Sequence, residues 1–245
     1  MQAVIPAAGM AVRMRPLSYH THKCLFTIGE KPIIHYVFKN LEKCGIKDVV
    51  LVLGYKAETL KSYLLEHFPG FKLGFAMNDR YDSTNNAYSL WLAEPLVRGA
   101  FVLLDSDILF DYRILDAMMK GSGPARLAVQ FRKDIGAEEV KVRLDSSGRV
   151  VEIGKDIDPL LAVGESIGIE RFSREWRDAL FATLSDQIER RSLTNQFYES
   201  AFQELMDDGM EMRATDTAGF PCMELDTPED LRRAEDEVLP LLSWD

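Results

Sequence analysis

Three cations follow a small-residue turn near the start of the chain. An apolar, β-prone run gives way to Ala7-Ala8-Gly9, and Arg13, Arg15 and Lys23 come soon afterwards. Small residues at the end of a strand let backbone N–H groups approach a ligand closely. Guanidinium and ammonium groups beside such a turn suit a triphosphate and the transition state through which it is attacked. The pattern predicts a nucleotide phosphate site, although on spacing alone a surface loop with solvated cations is the commoner explanation.

Acidic side chains follow two apolar runs further along. Asp105-Ser106-Asp107 comes directly after a buried run, and Asp226 ends another. An aspartate just past a central strand and facing the phosphate loop is well placed to hold magnesium, which prefers carboxylate oxygens and substrate phosphates. Asp105 can alternatively cap the helix that begins near Asp111. A carboxylate at the end of a buried strand is costly without a cation or donors, so Asp226 needs a partner.

Composition limits the function classes. The 245 residues are 47% hydrophobic, enough for one large α/β domain, and the net charge is −10 with a pI near 5.0. Without a basic run, a nucleic-acid or membrane-surface binder is not expected, but small anions can still bind a local cationic pocket. Three cysteines without metal spacing favour neither a disulfide framework nor a zinc site. No signal peptide or membrane span is evident, so a cytoplasmic protein is expected.

Strand and helix patterns alternate along the first half of the chain. Repeated units of this kind predict right-handed crossovers, a parallel sheet, and ligands at the carboxyl ends of its strands. The second half has strands, a hairpin and two helices. The predicted helices are 32–44, 56–68, 173–191 and 195–208, and the predicted strands are 48–53, 72–77, 99–104, 127–131, 140–144, 149–153, 161–170 and 210–214.

The first loop resembles the signature loop of the sugar-phosphate and choline-phosphate nucleotidyltransferase family. The resemblance rests on the spacing of Ala7-Ala8-Gly9, Arg13-Met14, Pro16-Leu17 and Lys23. It implies an α/β fold of Rossmann-like type, with a mixed, mainly parallel sheet flanked by helices. We expect a single domain over 1–245, in which 1–120 binds the nucleotide and 121–245 binds the acceptor.

Two positions depart from the family pattern. Ala11 stands where the family usually has a second glycine, which is tolerable only if the position does not need a positive φ. His22 stands where the family has a proline immediately before the lysine, and its loss is expected to loosen the approach of Lys23. These departures keep open the alternative of a regulatory homologue that binds a nucleotide without turnover.

The resemblance also implies roles for the charged residues. Arg13 and Lys23 would stabilise the pentavalent phosphate and the leaving group, and Asp107 and Asp226 would hold Mg²⁺. Asp105 would support the nucleotide loop from behind. The expected activity is a magnesium-dependent attack on the α-phosphorus of a nucleoside triphosphate by a phosphate or phosphonate oxygen, with release of pyrophosphate.

The segment 78–92 resembles the choline-phosphate cytidylyltransferase branch. Its pattern is Asn-Asp-x-Tyr-x-x-x-Asn-Asn-x-Tyr-Ser-Leu, and in the family this loop and helix start lie over the nucleotide base. Asn78, Asn85 and Asn86 are therefore candidates for reading a pyrimidine, since amides offer donors and acceptors. Capping of the following helix is the alternative role for Asn85 and Asn86. CTP is the expected nucleotide.

Two groups of residues indicate different acceptors. Lys141 and Lys155 resemble basic positions of the sugar-phosphate and inositol-phosphate branches, although two solvated lysines on a hairpin explain them as well. A charged amine needs acidic or aromatic company, which Tyr198, Glu199 and Glu224 can supply. The Trp of the choline-phosphate members is absent where Val140 stands, which favours a primary ammonium over a trimethylammonium. We therefore expect a small phosphorylated amine or aminoalkylphosphonate, with a sugar or inositol 1-phosphate as the alternative and a homo-oligomer left open.

Overall fold

The computed structural model of the chain describes residues 1–243. Strands and helices alternate through it, and the helices form where apolar residues recur on one face. The helices are α1 (Ile33–Lys43), α2 (Ala57–His67), α3 (Asn86–Leu92), α4 (Tyr112–Lys120), α5 (Arg174–Ser185), α6 (Glu199–Asp207) and α7 (Pro228–Arg233). The strands are β1 (Gln2–Ala7), β2 (Thr27–Ile28), β3 (Lys31–Pro32), β4 (Asp48–Leu53), β5 (Lys72–Met77), β6 (Phe101–Leu104), β7 (Ile108–Phe110), β8 (Ala125–Phe131), β9 (Lys141–Leu144), β10 (Val150–Gly154), β11 (Gly164–Phe172), β12 (Arg213–Asp216) and β13 (Cys222–Glu224).

Nine of these strands form one mixed sheet within the described residues. The order along it is β10-β9-β11-β6-β1-β4-β5, with β8 paired to β11 and β12 paired to β8. β1 runs parallel to both β4 and β6, and β4 runs parallel to β5. β11 is antiparallel to β6, β8 and β9. The predicted α/β fold with a mainly parallel centre is confirmed.

Both faces of the sheet are buried, because alternate residues of the central strands point to opposite sides. Ile5 and Leu51 belong to one core, which α1, α2 and α4 cover, while Val4 and Val50 belong to the other, which α3, α5 and α6 cover. Because β1, β4, β5 and β6 run parallel to one another, they end at the same edge of the sheet. No helix of residues 1–243 is both long enough and apolar enough to cross a membrane.

The end of the chain returns to this edge. β13 pairs antiparallel with β7, with Glu224 opposite Ile108, and the Leu225 N–H donates to the carbonyl of Asp107 at 2.9 Å. A capping box at Thr227 starts α7. This pairing brings Asp226 beside Asp107, although 119 residues separate them in the sequence.

The segment before α6 differs from the prediction. The sequence predicts a helix over 195–208, but α6 begins only at Glu199. Backbone groups of the preceding residues bind the start of α3 instead: Asn85 N–H donates to Thr194, and Ala87 N–H donates to Gln196. Because these hydrogen bonds already satisfy the segment, tertiary contact overrides its helical pattern.

Candidate active site

The loop after β1 forms one wall of a cavity of about 920 Å³ at the sheet edge. Ala7, Ala8 and Gly9 line it, and three short 3₁₀ turns carry the chain onward to Lys23. A Cβ at Gly9 would meet no protein atom within 4 Å, so the space in front of this residue belongs to the cavity. The loop therefore offers the close backbone approach that the sequence predicts.

Ala11 adopts the left-handed conformation, with φ 47° and ψ 56°. The expectation that alanine suits this position rested on φ not being positive, so that condition is not met. An alanine in this region costs about 1 kcal/mol more than a glycine, a strain that the surrounding fold absorbs. Ala11 also packs against the apolar cluster around Met14 and Leu225, which gives its methyl group a partner.

Lys23 joins the two predicted metal ligands. Its Nζ lies 2.6 Å from Asp107 Oδ2 and 2.9 Å from Asp226 Oδ1, and Arg13 Nη2 lies 2.8 Å from the same Asp226 oxygen. Burial alone would lower the pKa of Lys23, but the charges of the two aspartates outweigh it and raise that pKa. Burial would likewise raise the pKa of Asp226, and Lys23 and Arg13 lower it. All four side chains line the cavity.

The aspartate pair fits a magnesium ion. Both carboxylates converge on one cation, and Mg²⁺ is usually held by one or two carboxylates together with substrate phosphates. Glu224 lies close by, and its burial and the charges of Asp107 and Asp226 raise its pKa to about 8, which favours the neutral carboxyl. Among residues 1–243, no group of three or more His, Cys, Asp and Glu side chains is arranged to hold a metal ion.

Asp105 lines the cavity and is held from behind by Tyr198. Burial and the charge of Asp107 raise its pKa, and its Oδ1 accepts a hydrogen bond from the Tyr198 hydroxyl at 2.8 Å. Gly168, at φ +67°, leaves room for it, since a Cβ there would lie 2.4 Å from Asp105 Oδ2. Tyr198 is fully buried and does not line the cavity, so the prediction that it binds the acceptor is corrected to this supporting contact.

All three predicted base-reading amides line the cavity, and within residues 1–243 those of Asn85 and Asn86 keep a side-chain donor without a hydrogen-bond partner. Asn85 caps α3 through its oxygen, which accepts from Asn86 N–H at 2.8 Å, and the Asn86 oxygen accepts from Tyr198 N–H at 2.9 Å. Asn78 differs, because Thr84, Ser89 and the Arg80 N–H occupy its whole amide. Asn78 therefore shapes the loop that follows β5 and does not offer its amide to a ligand.

The two predicted basic residues of the hairpin separate. Lys155 lines the cavity, with its Nζ 5.1 Å from the centre of the Phe197 ring. Lys141 is buried, and its Nζ donates to the carbonyls of Ala137, Glu139 and Lys155. It does not line the cavity, because the register of β9 turns its side chain inward. The prediction that Lys141 binds an acceptor phosphate is thereby corrected to a structural role.

Glu199 lines the part of the cavity near Lys155, and Glu224 lines the part near Asp107 and Asp226. Glu199 is 8% exposed, and its Oε2 has no hydrogen-bond partner in the described part of the chain. Burial raises the pKa of Glu199 to about 7, an effect that the charge of Lys155 partly offsets. An unpaired buried carboxylate is costly unless a cation or donor reaches it. The part of the cavity at Glu199 is therefore suited to a positively charged group.

Comparison with known proteins identifies the family. The nucleotidyl transferase family model matches residues 2–132, more than half of the chain. The chain belongs to the nucleotidyl transferase family. A 2-aminoethylphosphonate cytidylyltransferase of Lancefieldella rimae is 32% identical over 193 residues, which are 76% of this chain and 76% of the relative. Membership, predicted from the signature loop, is confirmed.

Two further relatives extend this result. A choline-phosphate cytidylyltransferase of Streptococcus pneumoniae is 37% identical over 110 residues, covering 45% of this chain and 46% of that protein. The solved inositol-1-phosphate CTP transferase from T. maritima matches with a TM-score of 0.80 at 23% identity, covering 99% of this chain and 97% of the other, which shows the shared fold. The chain spans about half the length of some curated relatives that it matches.

This nucleotidyl transferase has cavity residues that the sequence did not reveal. Phe197, 45% exposed, precedes α6 in the segment predicted to be helical, so its place facing the cavity was hidden. Arg132 follows β8, lines the cavity, and binds Glu139 at 3.0 Å and Glu165 at 2.8 Å. No motif marks either residue. Only the prediction of a loop over 194–198 would have indicated that Phe197 faces the cavity.

Proposed function

We propose that this nucleotidyl transferase moves CMP from CTP to a small acceptor that carries a phosphate or phosphonate and a primary ammonium. An acceptor oxygen forms a bond to the α-phosphorus, the bond from that phosphorus to the bridging oxygen breaks, and pyrophosphate leaves with the electron pair. The acceptor is already an anionic nucleophile, so no covalent enzyme intermediate is needed. The protein aligns the two anions and neutralises their charge.

The observation that carries the proposal is an unpaired buried carboxylate in a cavity that also holds cations. Arg13 and Lys23 lie beside the small-residue loop, and Glu199, whose buried Oε2 has no partner in the described residues, lines the same cavity. A substrate pair that carries both phosphates and an ammonium matches this arrangement of charge. A sugar phosphate, which has no cation, would leave the unpaired Glu199 oxygen without a strong partner.

Asp107 and Asp226 are the residues that would hold a magnesium ion in this reaction. Such an ion would supply positive charge against the triphosphate oxygens when bound. Lys23 forms ion pairs with both carboxylates. When the triphosphate binds, its oxygens give Lys23 an alternative acceptor, so that the same ammonium can stabilise the charge that develops on the leaving group.

Preference for CTP rests on Asn85 and Asn86. Within the described residues only their oxygens are engaged, so each side-chain NH₂ remains available as a donor. Cytosine presents two neighbouring acceptors, O2 and N3, whereas the N3 of uracil and thymine carries a hydrogen. Two donors that line one cavity therefore favour cytosine, and a wrong base leaves polar groups unpaired.

The relatives support a zwitterionic acceptor. The two named as cytidylyltransferases act, by their names, on 2-aminoethylphosphonate and on choline phosphate. Here the carboxylates of Glu199 and Glu224 can accept hydrogen bonds from a primary ammonium, which a trimethylammonium cannot donate. We therefore infer that aminoethylphosphonate or phosphoethanolamine is preferred over phosphocholine.

An inositol or sugar 1-phosphate is the second candidate. It is favoured by Lys155, which lines the cavity, and by the fold shared with the inositol-1-phosphate CTP transferase. Lys141, the other basic residue that favoured this candidate, is occupied by three carbonyls and gives it no support. The unpaired carboxylate oxygen of Glu199 therefore favours the amine.

A pyrophosphate-release screen tests the proposal. Magnesium and each of CTP, UTP, ATP, GTP and thymidine triphosphate would be combined with 2-aminoethylphosphonate, phosphoethanolamine, phosphocholine, inositol 1-phosphate and glucose 1-phosphate. We expect the highest kcat/KM for CTP with one of the two primary amines. Equal rates with CTP and ATP, or a higher value for inositol 1-phosphate, would contradict the proposal. Binding of CTP without turnover of any acceptor would favour a regulatory homologue.

A further inference from the structure

His22 occupies a buried position between the strand end and the catalytic lysine. It is 1% exposed, and it directly precedes the 3₁₀ turn Lys23–Leu25. Its Nε2 lies 3.0 Å from the carbonyl oxygen of Ala7, the last residue of β1. Its Nδ1 accepts a hydrogen bond from the Cys24 N–H at 3.1 Å. One ring therefore bridges the two ends of the phosphate loop.

These partners fix the chemical state of the ring. A carbonyl can only accept and a backbone N–H can only donate, so Nε2 must carry the hydrogen and Nδ1 must be bare. A doubly protonated ring could not accept from Cys24. Burial in this site lowers the pKa of His22 to about 4, which keeps the required neutral form at neutral pH.

The backbone of His22 has the conformation of a proline. Its φ is −65° and its ψ is 140°, and a proline ring holds φ at about −65°. No backbone hydrogen bond in the described residues uses the His22 N–H, so a proline here would break none. The expectation that losing the family's proline loosens the approach of Lys23 is therefore not met. The two hydrogen bonds of the His22 side chain hold the backbone geometry that the ring of a proline would fix covalently.

Both partners of His22 lead to reacting groups. Cys24 directly follows Lys23 and is fully buried in the core. Ala7 opens the small-residue loop of the cavity. The Lys23 ammonium, one residue from His22, lies between Asp107 and Asp226. A shift of the turn would move this ammonium relative to the loop.

We propose that His22 is a positioning residue for nucleotidyl transfer, whose neutral imidazole ties Ala7 to Cys24 and so fixes Lys23 in place of a proline. The inference rests on nucleotidyl transfer at this site but not on the identity of the base or the acceptor. Misplacing a catalytic group by about 1 Å can cost on the order of 100-fold in rate. The effect should therefore appear in kcat.

The test compares His22→Ala, which removes both hydrogen bonds, with His22→Pro, which restores the restraint on φ. We expect His22→Ala to lower kcat by roughly 10- to 100-fold without changing the KM of the acceptor. His22→Pro should recover most of the loss. His20→Ala is the matched control, because His20 is exposed two residues away and should leave kcat unchanged. Thermal melting of each variant separates misplacement from unfolding.

Nitrogen NMR of the histidine side chains supplies a measurement that needs no turnover. In the wild-type protein His22 should show a protonated Nε2 and a bare Nδ1 at neutral pH. A protonated Nδ1 would overturn the inference, and so would a folded His22→Ala variant with wild-type kcat or a folded His22→Pro variant as slow as His22→Ala. If His22→Ala does not fold, the tautomer and the rate of His22→Pro decide. A wild-type protein without turnover would overturn the proposed function, and the tautomer would then decide this inference alone.

Discussion

The Nζ of Lys23 lies 2.6 Å from Oδ2 of Asp107. Lys23 belongs to the loop after β1 and Asp107 to the loop after β6, and these two strands are hydrogen-bonded neighbours in the sheet. A contact between residues 84 positions apart thus follows from the parallel pairing of two strands that end at the same edge. It joins the cation and the acid on which the proposed chemistry depends.

Asp107→Asn and Asp226→Asn should each abolish most turnover while leaving the fold intact. Each change removes one negative charge at nearly constant volume, and both side chains are partly exposed. We expect kcat to fall by roughly 100- to 1,000-fold, the range for losing one preorganised electrostatic group. Pyrophosphate release and thermal melting would be measured together. Asp116→Asn, on the exposed face of α4, is the control, and near wild-type rates in Asp107→Asn would refute the assignment.

His22 should make the stability of the protein depend on pH. Its pKa is 6.5 in an unfolded chain and about 4 in the fold, so the folded state favours the neutral ring. Its contribution is therefore complete above about pH 6.5 and is lost as the pH falls towards 4. The shift corresponds to about 3 kcal/mol. Urea unfolding between pH 4 and 7 should show this loss for the wild type and not for His22→Pro; parallel curves would contradict it.

Asn85→Asp should weaken the use of CTP as a substrate without destabilising the protein. Aspartate caps a helix as well as asparagine does, so α3 keeps its N-terminus. The substitution replaces the free NH₂ donor with an acceptor that repels the acceptors of cytosine. We expect kcat/KM for CTP to fall by roughly 10-fold or more, with an unchanged melting temperature. An unchanged kcat/KM would show that Asn85 only caps the helix.

Glu199→Gln should selectively weaken the binding of an amine acceptor. The carboxylate is buried with one oxygen unpaired, so its charge is available to a substrate ammonium. The KM of the amine should rise by roughly 10-fold, since hydrogen bonds to charged groups contribute about 1.5–3 kcal/mol. The KM of CTP should stay nearly constant. Glu175→Gln, on the exposed side of α5, is the control, and an equal rise in both KM values would place Glu199 outside the acceptor site.

The site was predictable from the sequence where short motifs and strand ends determine it. The family loop led to Lys23, and buried runs followed by acids led to Asp107 and Asp226. These residues meet because the carboxyl ends of neighbouring strands share one edge. The parallel centre of the fold followed in the same way from continuous apolar runs such as β4.

Long-range hydrogen bonds could not be predicted in this way. Asn78 and Lys141 have the right residue types, but their polar atoms are taken by partners that only the folded chain supplies. The positive φ of Ala11 and the contact of His22 with Ala7 also depend on how the loop closes on β1. Local pattern thus locates the chemistry, while tertiary contacts decide which side chains remain free for a ligand.

The most direct test of the proposed function is a competition in one tube. Wild-type protein, magnesium and CTP would be given equal concentrations of 2-aminoethylphosphonate and inositol 1-phosphate, and the products would be quantified by phosphorus NMR, which separates a phosphonate from a phosphate ester. We predict that the CMP-phosphonate forms predominantly, because the unpaired buried carboxylate of Glu199 needs a cation. Predominant CDP-inositol would contradict this account and favour the sugar-phosphate alternative.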